Sequence, residues 1–116
     1  MVMRKNKVVI LQNQMRLDKT SGKLVNKFDF SSAEKYGELE FLLSPTARPF
    51  NNNDSIISEL RANLCAFSSN DHLLLVGNPI LIGITTSIAV DYCSEVNFLQ
   101  WSGKEKQYLP VKIDFT

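Results

Sequence analysis

Leu73-Leu74-Leu75-Val76-Gly77-Asn78-Pro79 is the stretch on which the fold turns. Four consecutive apolar residues, with Asp71 before them and Gly77 after, form the pattern of a central strand covered on both faces. Asn78 and Pro79 then start a helix. The Asn side chain accepts from backbone N–H groups that lack an intrahelical partner, and proline at the first helical position has no N–H to satisfy. The spacing predicts a helix to about Cys93, apolar nearly all round through Ile80, Leu81, Ile82, Ile84, Ile88, Ala89 and Val90, and so covered by several neighbours. Gly83 inside it costs about 1 kcal/mol relative to Ala, which close packing on the sheet or on another helix would explain.

Working outward, Tyr36 to Leu43 reads as a strand ending at the breakers Ser44 and Pro45. After a loop rich in Pro and Asn, Asp54 or Ser55 caps an amphipathic helix whose Ile56, Ile57, Leu60, Leu64 and Phe67 follow a 3.6 period. Downstream, Val96 to Trp101 and Tyr108 to Phe115 are the arms of a hairpin turning within Ser102 to Lys106. Leu109, Val111, Ile113 and Phe115 share one face of the second arm, and Pro110 places that arm at an edge, because it has no N–H for a second neighbour. Upstream, Val8 to Leu11 reads as a strand buried on both faces. Residues 12–32 are a polar excursion, either flexible or a loose hairpin turning at Ser21 and Gly22.

Strand, helix, strand, helix, strand from Tyr36 to Trp101 makes two crossover units, which wind right-handed and set their strands parallel. The expected fold is a single α/β domain over residues 1–116: a small open mixed sheet with parallel central strands, two main helices and a C-terminal β-hairpin. A three-layer sandwich is expected first. The alternative puts both helices on one face and leaves the other for a partner chain.

Thirteen basic and 12 acidic residues give a net charge of +1, so no overall field marks a polyanion-binding protein. Arg4, Lys5 and Lys7, and Lys104 with Lys106, are the local basic groups considered. Cys65 and Cys93, the two cysteines, lack metal-clip spacing and read as buried free thiols. No signal peptide opens the chain, and no apolar run approaches the roughly 20 residues that span a bilayer, so the expected setting is cytoplasmic, with no membrane partner. A chain of this size buries only about two thirds of its unfolded surface, which makes a homodimer a natural supplement.

Ligands of open parallel sheets collect beyond the carboxyl ends of the strands. There, Ser44, Thr46 and Arg48 would face Gly77 and Asn78, and the helix start adds free N–H groups for a phosphate or carboxylate. The same Gly-Asn-Pro has a complete structural account as turn, cap and first helical residue. Neither a GxGxxG nor a GxxxxGK[ST] string is present, so a nucleotide cradle is not expected. His72, the only histidine, should lie at the opposite end of the sheet, away from that loop cluster. One His and two separated Cys do not make a zinc set, and no cofactor or metal is expected. Trp101 and Tyr108 flank one turn and are the candidate interface residues, since aromatic anchors dominate many protein interfaces. Base stacking is their other use.

Tyr36-Gly37-Glu38, the string from Asp71 to Pro79, and Gln100-Trp101-Ser102 with Tyr108-Leu109-Pro110-Val111 resemble segments of small uncharacterised proteins of tailed bacteriophages, including those of cyanobacteria. The resemblance covers mainly Tyr36 to Phe115. It implies a setting, the cytoplasm of an infected bacterium, and carries no catalytic residue across. With no residue set demanding catalysis, the reading leans away from an enzyme and towards a protein that binds a host or phage macromolecule. The alternative is a small-molecule or phosphate-binding domain at Asn78, and nucleic-acid binding ranks third.

Overall fold

The computed structural model describes residues 5–50 and 53–116. Arg4, one of the basic residues considered above, lies outside them. Strands β1 (Lys7–Gln12), β4 (Glu38–Leu43), β5 (His72–Leu74), β6 (Glu95–Ser102) and β7 (Gln107–Asp114) form one five-stranded sheet in the order β4-β1-β5-β6-β7. The first four are parallel, and β7 returns antiparallel along β6. Helix α1 (Asp54–Leu64) joins β4 to β5, and α2 (Pro79–Tyr92) joins β5 to β6. Strands β2 (Met15–Leu17) and β3 (Leu24–Asn26) pair as a separate ribbon, followed by a 3-10 helix at Ser31–Tyr36.

Four parallel strands therefore stand where the Tyr36-to-Trp101 units account for three, because β1 inserts between β4 and β5. Val8 to Leu11 lie in its buried run, as their apolar character requires. Pro110 falls in β7, at the sheet edge.

The three-layer expectation needs correction. Both helices pack on one face, where Leu60, Leu64, Leu81, Ile88 and Ala89 meet Val9, Leu11, Leu73 and Val96. The opposite face carries a second core of Val8, Ile10, Leu74, Leu99 and Tyr108, covered by Phe30, Ala33 and half-buried Tyr36 from the segment around the 3-10 helix. Handedness explains the split. The connections after β4 and β5 both advance towards β7, whereas the one after β1 steps back to β4, so right-handed crossovers put the first two on one face and the third on the other.

Several local expectations change with it. Tyr36 ends the 3-10 helix, so the strand begins at Glu38. The cap of α1 is Asn53 and not Asp54 or Ser55, and its side chain pairs with the backbone of Phe50 in place of the helix. Gly83 is exposed, and a Cβ there would meet open space, so close packing does not account for it. Nor is α2 enclosed by several neighbours, since it rests on the sheet and α1 and leaves Ile80 exposed. Both thiols are free, but Cys65, at the C-cap of α1, is exposed, and Cys93, at the C-cap of α2, is half-buried against the helix-side core.

The excursion after β1 reverses direction in a hydrogen-bonded turn at its centre. Gly22 N–H donates to the Asp18 carbonyl at 2.8 Å, and the Asp18 carboxylate accepts from Thr20 N–H and the Ser21 hydroxyl. Gly22 takes φ +71°, a conformation that glycine adopts without the Cβ penalty.

Candidate binding groove on the helix-free face

Ligand sites in parallel sheets form where neighbouring connections leave to opposite faces. Here that place is the carboxyl end of β1, flanked by the loops after β4 and β5, and a side chain fills it. Gln12 is 3% exposed. Its Nε2 donates to the carbonyls of Ser44 (3.1 Å) and Ala47 (2.7 Å), while its Oε1 accepts from Asn78 N–H (3.1 Å). Gly77 makes this clamp possible. Its φ is +142°, and a Cβ would press into the Gln12 amide.

The candidate anion-binding residues do come to this one end of the sheet. Ser44 Oγ bonds with Thr46 Oγ1 at 2.9 Å and accepts from Thr46 N–H, and Arg48 is exposed. Two of the donors at the helix start are already engaged, however: Asn78 N–H by Gln12, and Ile80 N–H by Asn78 Oδ1 at 2.9 Å. The cap at Asn78 is thus the one the Asn-Pro string predicts, and no observation favours a ligand there over this structural role.

His72 sits at the opposite end, as the first residue of β5. Its ring lies 5.1 Å from that of Tyr36, and its Nδ1 is buried without a hydrogen-bond partner. Burial holds its pKa below the ordinary 6.5, against a smaller upward pull from the Asp71 carboxylate. The native state therefore binds fewer protons here than the unfolded chain, so stability is full above pH 6.5 and falls as pH drops through that value. Urea midpoints at pH 7.5 and 5.5 should show this loss in the wild type and a smaller one in His72→Gln; equal losses would remove His72 as its source. Among the described residues no three His, Cys, Asp or Glu side chains cluster as metal ligands. No helix among them is long and apolar enough to cross a membrane.

A different site emerges on the helix-free face. The β5–β6 ladder ends at Leu73 and Phe98, after which the two strands part. Val76 stays with β1, its carbonyl accepting from Gln12 N–H, whereas β6 continues beside β7 to Ser102. Between them lies a groove of about 650 Å3. Leu74, Val76 and Leu99 contribute to its apolar lining, together with Trp101 and Tyr108 from the hairpin and Lys27, Phe28 and Asp29 from the segment before the 3-10 helix.

Trp101 and Tyr108 are cross-strand partners with rings 5.0 Å apart, edge to face. Tyr108 is buried, which together with the Asp29 carboxylate pushes its phenol pKa up and keeps it neutral. Trp101 is 51% exposed. The Tyr36 hydroxyl donates to the Tyr108 carbonyl at 2.9 Å and ties the 3-10 helix to this strand. The sequence singled out the aromatic pair as an interface. Phe28 was missed, because the apolar members of residues 12–32 keep no sustained period that would say which face each joins.

Fold and groove together define a small mixed α/β domain with one helix-covered face and one partly open apolar face. The chain belongs to the Phage Pam3 gp32-like protein family, whose model matches residues 6–115. The match includes the excursion after β1 as well as the segments from Tyr36 onward. No curated protein and no solved structure matches the chain.

Proposed function

We propose that this phage-family protein is a non-enzymatic binding module that seats an apolar segment of a host or phage protein in the groove beside Trp101. The observation that carries the reading is the exposed Trp101 ring, held edge-on by buried Tyr108 at the rim of an apolar trough. A half-exposed tryptophan on a rigid neighbour loses little entropy on binding and offers a large area to desolvate. Sparse polar groups in the lining suit apolar side chains of a protein better than a small metabolite, which needs several fixed hydrogen bonds to be oriented. Membership of a phage protein family is the support for a setting in an infected bacterium, and the cytoplasm is the compartment we propose.

The test is a pull-down from host and infected-host lysates with wild-type protein and Trp101→Ala, each with nuclease, followed by affinity measurement on the purified partner. Loss of a central aromatic anchor is worth about 2 kcal/mol or more, so Trp101→Ala should weaken the partner about 30-fold. A partner that binds both proteins equally overturns the groove reading. A homodimer is the competing use of the same surface. Concentration-dependent self-association that Trp101→Ala abolishes would assign the groove to a second copy.

A further inference from the structure

The net charge of +1 conceals a separation. Residues 15–27 hold four cations, Arg16, Lys19, Lys23 and Lys27, against one carboxylate, Asp18, so this segment carries +3 and the rest of the chain −2. Asp18 is occupied in the turn, accepting from Thr20 N–H and the Ser21 hydroxyl. All four cations are exposed, and none has an ion pair among the described residues, although Lys27 Nζ lies over the Phe28 ring at 5.5 Å from its centroid.

The segment is the β2–β3 ribbon and its base. It stands off the body: every residue of β2 is exposed, and only Val25 of β3 is half-buried. The radius of gyration, 14.9 Å, exceeds the roughly 13 Å of a compact chain of this length. Leu17 and Leu24, 60% and 67% exposed, face each other across the ribbon and stabilise its pairing. The tip, from Asp18 to Lys23, is polar. A membrane-inserting hairpin would place its apolar residues at the tip, whereas a hydroxyl-rich tip flanked by lysines suits a hydrated polyanion.

We propose that the β2–β3 ribbon is a nucleic-acid-binding arm that engages the phosphate backbone of a duplex through Arg16, Lys19, Lys23 and Lys27. A two-stranded ribbon is narrow enough to enter a major groove, and four phosphate contacts would give binding that is salt-dependent and largely indifferent to sequence. This surface adjoins the Trp101 groove, which Lys27 also lines, but Arg16, Lys19 and Lys23 lie outside that lining, and the readout does not depend on a protein partner.

Fluorescence anisotropy of the full chain with a labelled random-sequence DNA duplex, across a salt series, tests it. Four contacts predict a slope of log K against log salt near −3.6 and about a 100-fold loss of affinity between roughly 50 and 200 mM. The double variant Lys19→Ala/Lys23→Ala should reduce the slope by about 1.8 while circular dichroism stays that of the wild type. Lys104→Ala/Lys106→Ala, in the β6–β7 turn, should leave the slope unchanged. An unaltered slope in the ribbon variant, or an equal effect in the turn variant, overturns the assignment. So does binding to phosphatidylglycerol vesicles without binding to the duplex, which would make the arm a membrane contact.

Discussion

Asp71→Ala should destabilise the protein by about 3 kcal/mol, lowering its urea midpoint sharply and its Tm by roughly 12 °C. Asp71 is fully buried yet ionisable, and its carboxylate organises the entry to β5. Oδ1 accepts from Lys7 N–H at 2.9 Å, at the start of β1, and Oδ2 accepts from Ser68 N–H at 3.0 Å and the Ser68 hydroxyl at 3.4 Å. Alanine leaves two main-chain donors with no acceptor at that place, and each orphaned buried donor costs about 1 to 3 kcal/mol. Against a total of roughly 6 to 17 kcal/mol for a domain of this size, that is a large share. Asp71→Asn keeps one acceptor oxygen but turns an NH2 group towards Ser68, so its loss should be intermediate. A change below about 1 kcal/mol in Asp71→Ala would mean that water replaces the carboxylate, and would remove it as the organiser of the β1–β5 entry.

Gln12→Leu should cost about as much, for a related reason at the other end of the sheet. Leucine nearly matches the volume and keeps the burial, so the effect isolates the amide. Its loss strands the Ala47 carbonyl and the Asn78 N–H and leaves the Ser44 carbonyl with the Ala47 N–H alone, and among the described residues it is the Gln12 side chain that joins these groups of the loops after β4 and β5. Hydrogen exchange should rise locally at Ala47 and Asn78, while Leu73 in the central strand keeps its protection relative to the lowered global stability. Uniform acceleration would show that the amide acts on the whole fold, and no change would show that the loops are held by other contacts. The result also bears on the anion reading. If Gln12→Leu gains phosphate binding at the freed Asn78 N–H, the clamp occupies a latent ligand site.

The two surfaces assigned a function differ in chemistry and in position. The groove on the helix-free face is apolar and rimmed by an aromatic pair. The ribbon is cationic and leaves the sheet at the carboxyl end of β1, with Lys27 at its base lining the groove as well. A protein partner seated at Trp101 would therefore lie beside whatever the ribbon holds.

Local and periodic features were legible from the residues alone. The apolar run at Leu73 read as a central strand, which the structure holds to His72–Leu74 with Leu75 and Val76 half-buried beyond its end, and Asn78-Pro79 read as a helix cap and Pro110 as an edge, because each depends on a residue's own donors, acceptors and period. The aromatic pair at Trp101 and Tyr108 was readable because a hairpin sets its partners by turn length. What depended on long-range pairing was not readable. The insertion of β1 between β4 and β5 decides which crossover runs backwards, hence which face lacks helices and where the groove opens. Gln12 shows the limit best: a glutamine after an apolar run reads as the end of a strand, and only the meeting of loops 32 and 66 residues away in sequence turns it into a buried clamp. The charge of the ribbon was written in the sequence, but the total concealed it. Only the tertiary structure, by leaving β2 and β3 off the sheet, separated those cations from the carboxylates that balance them.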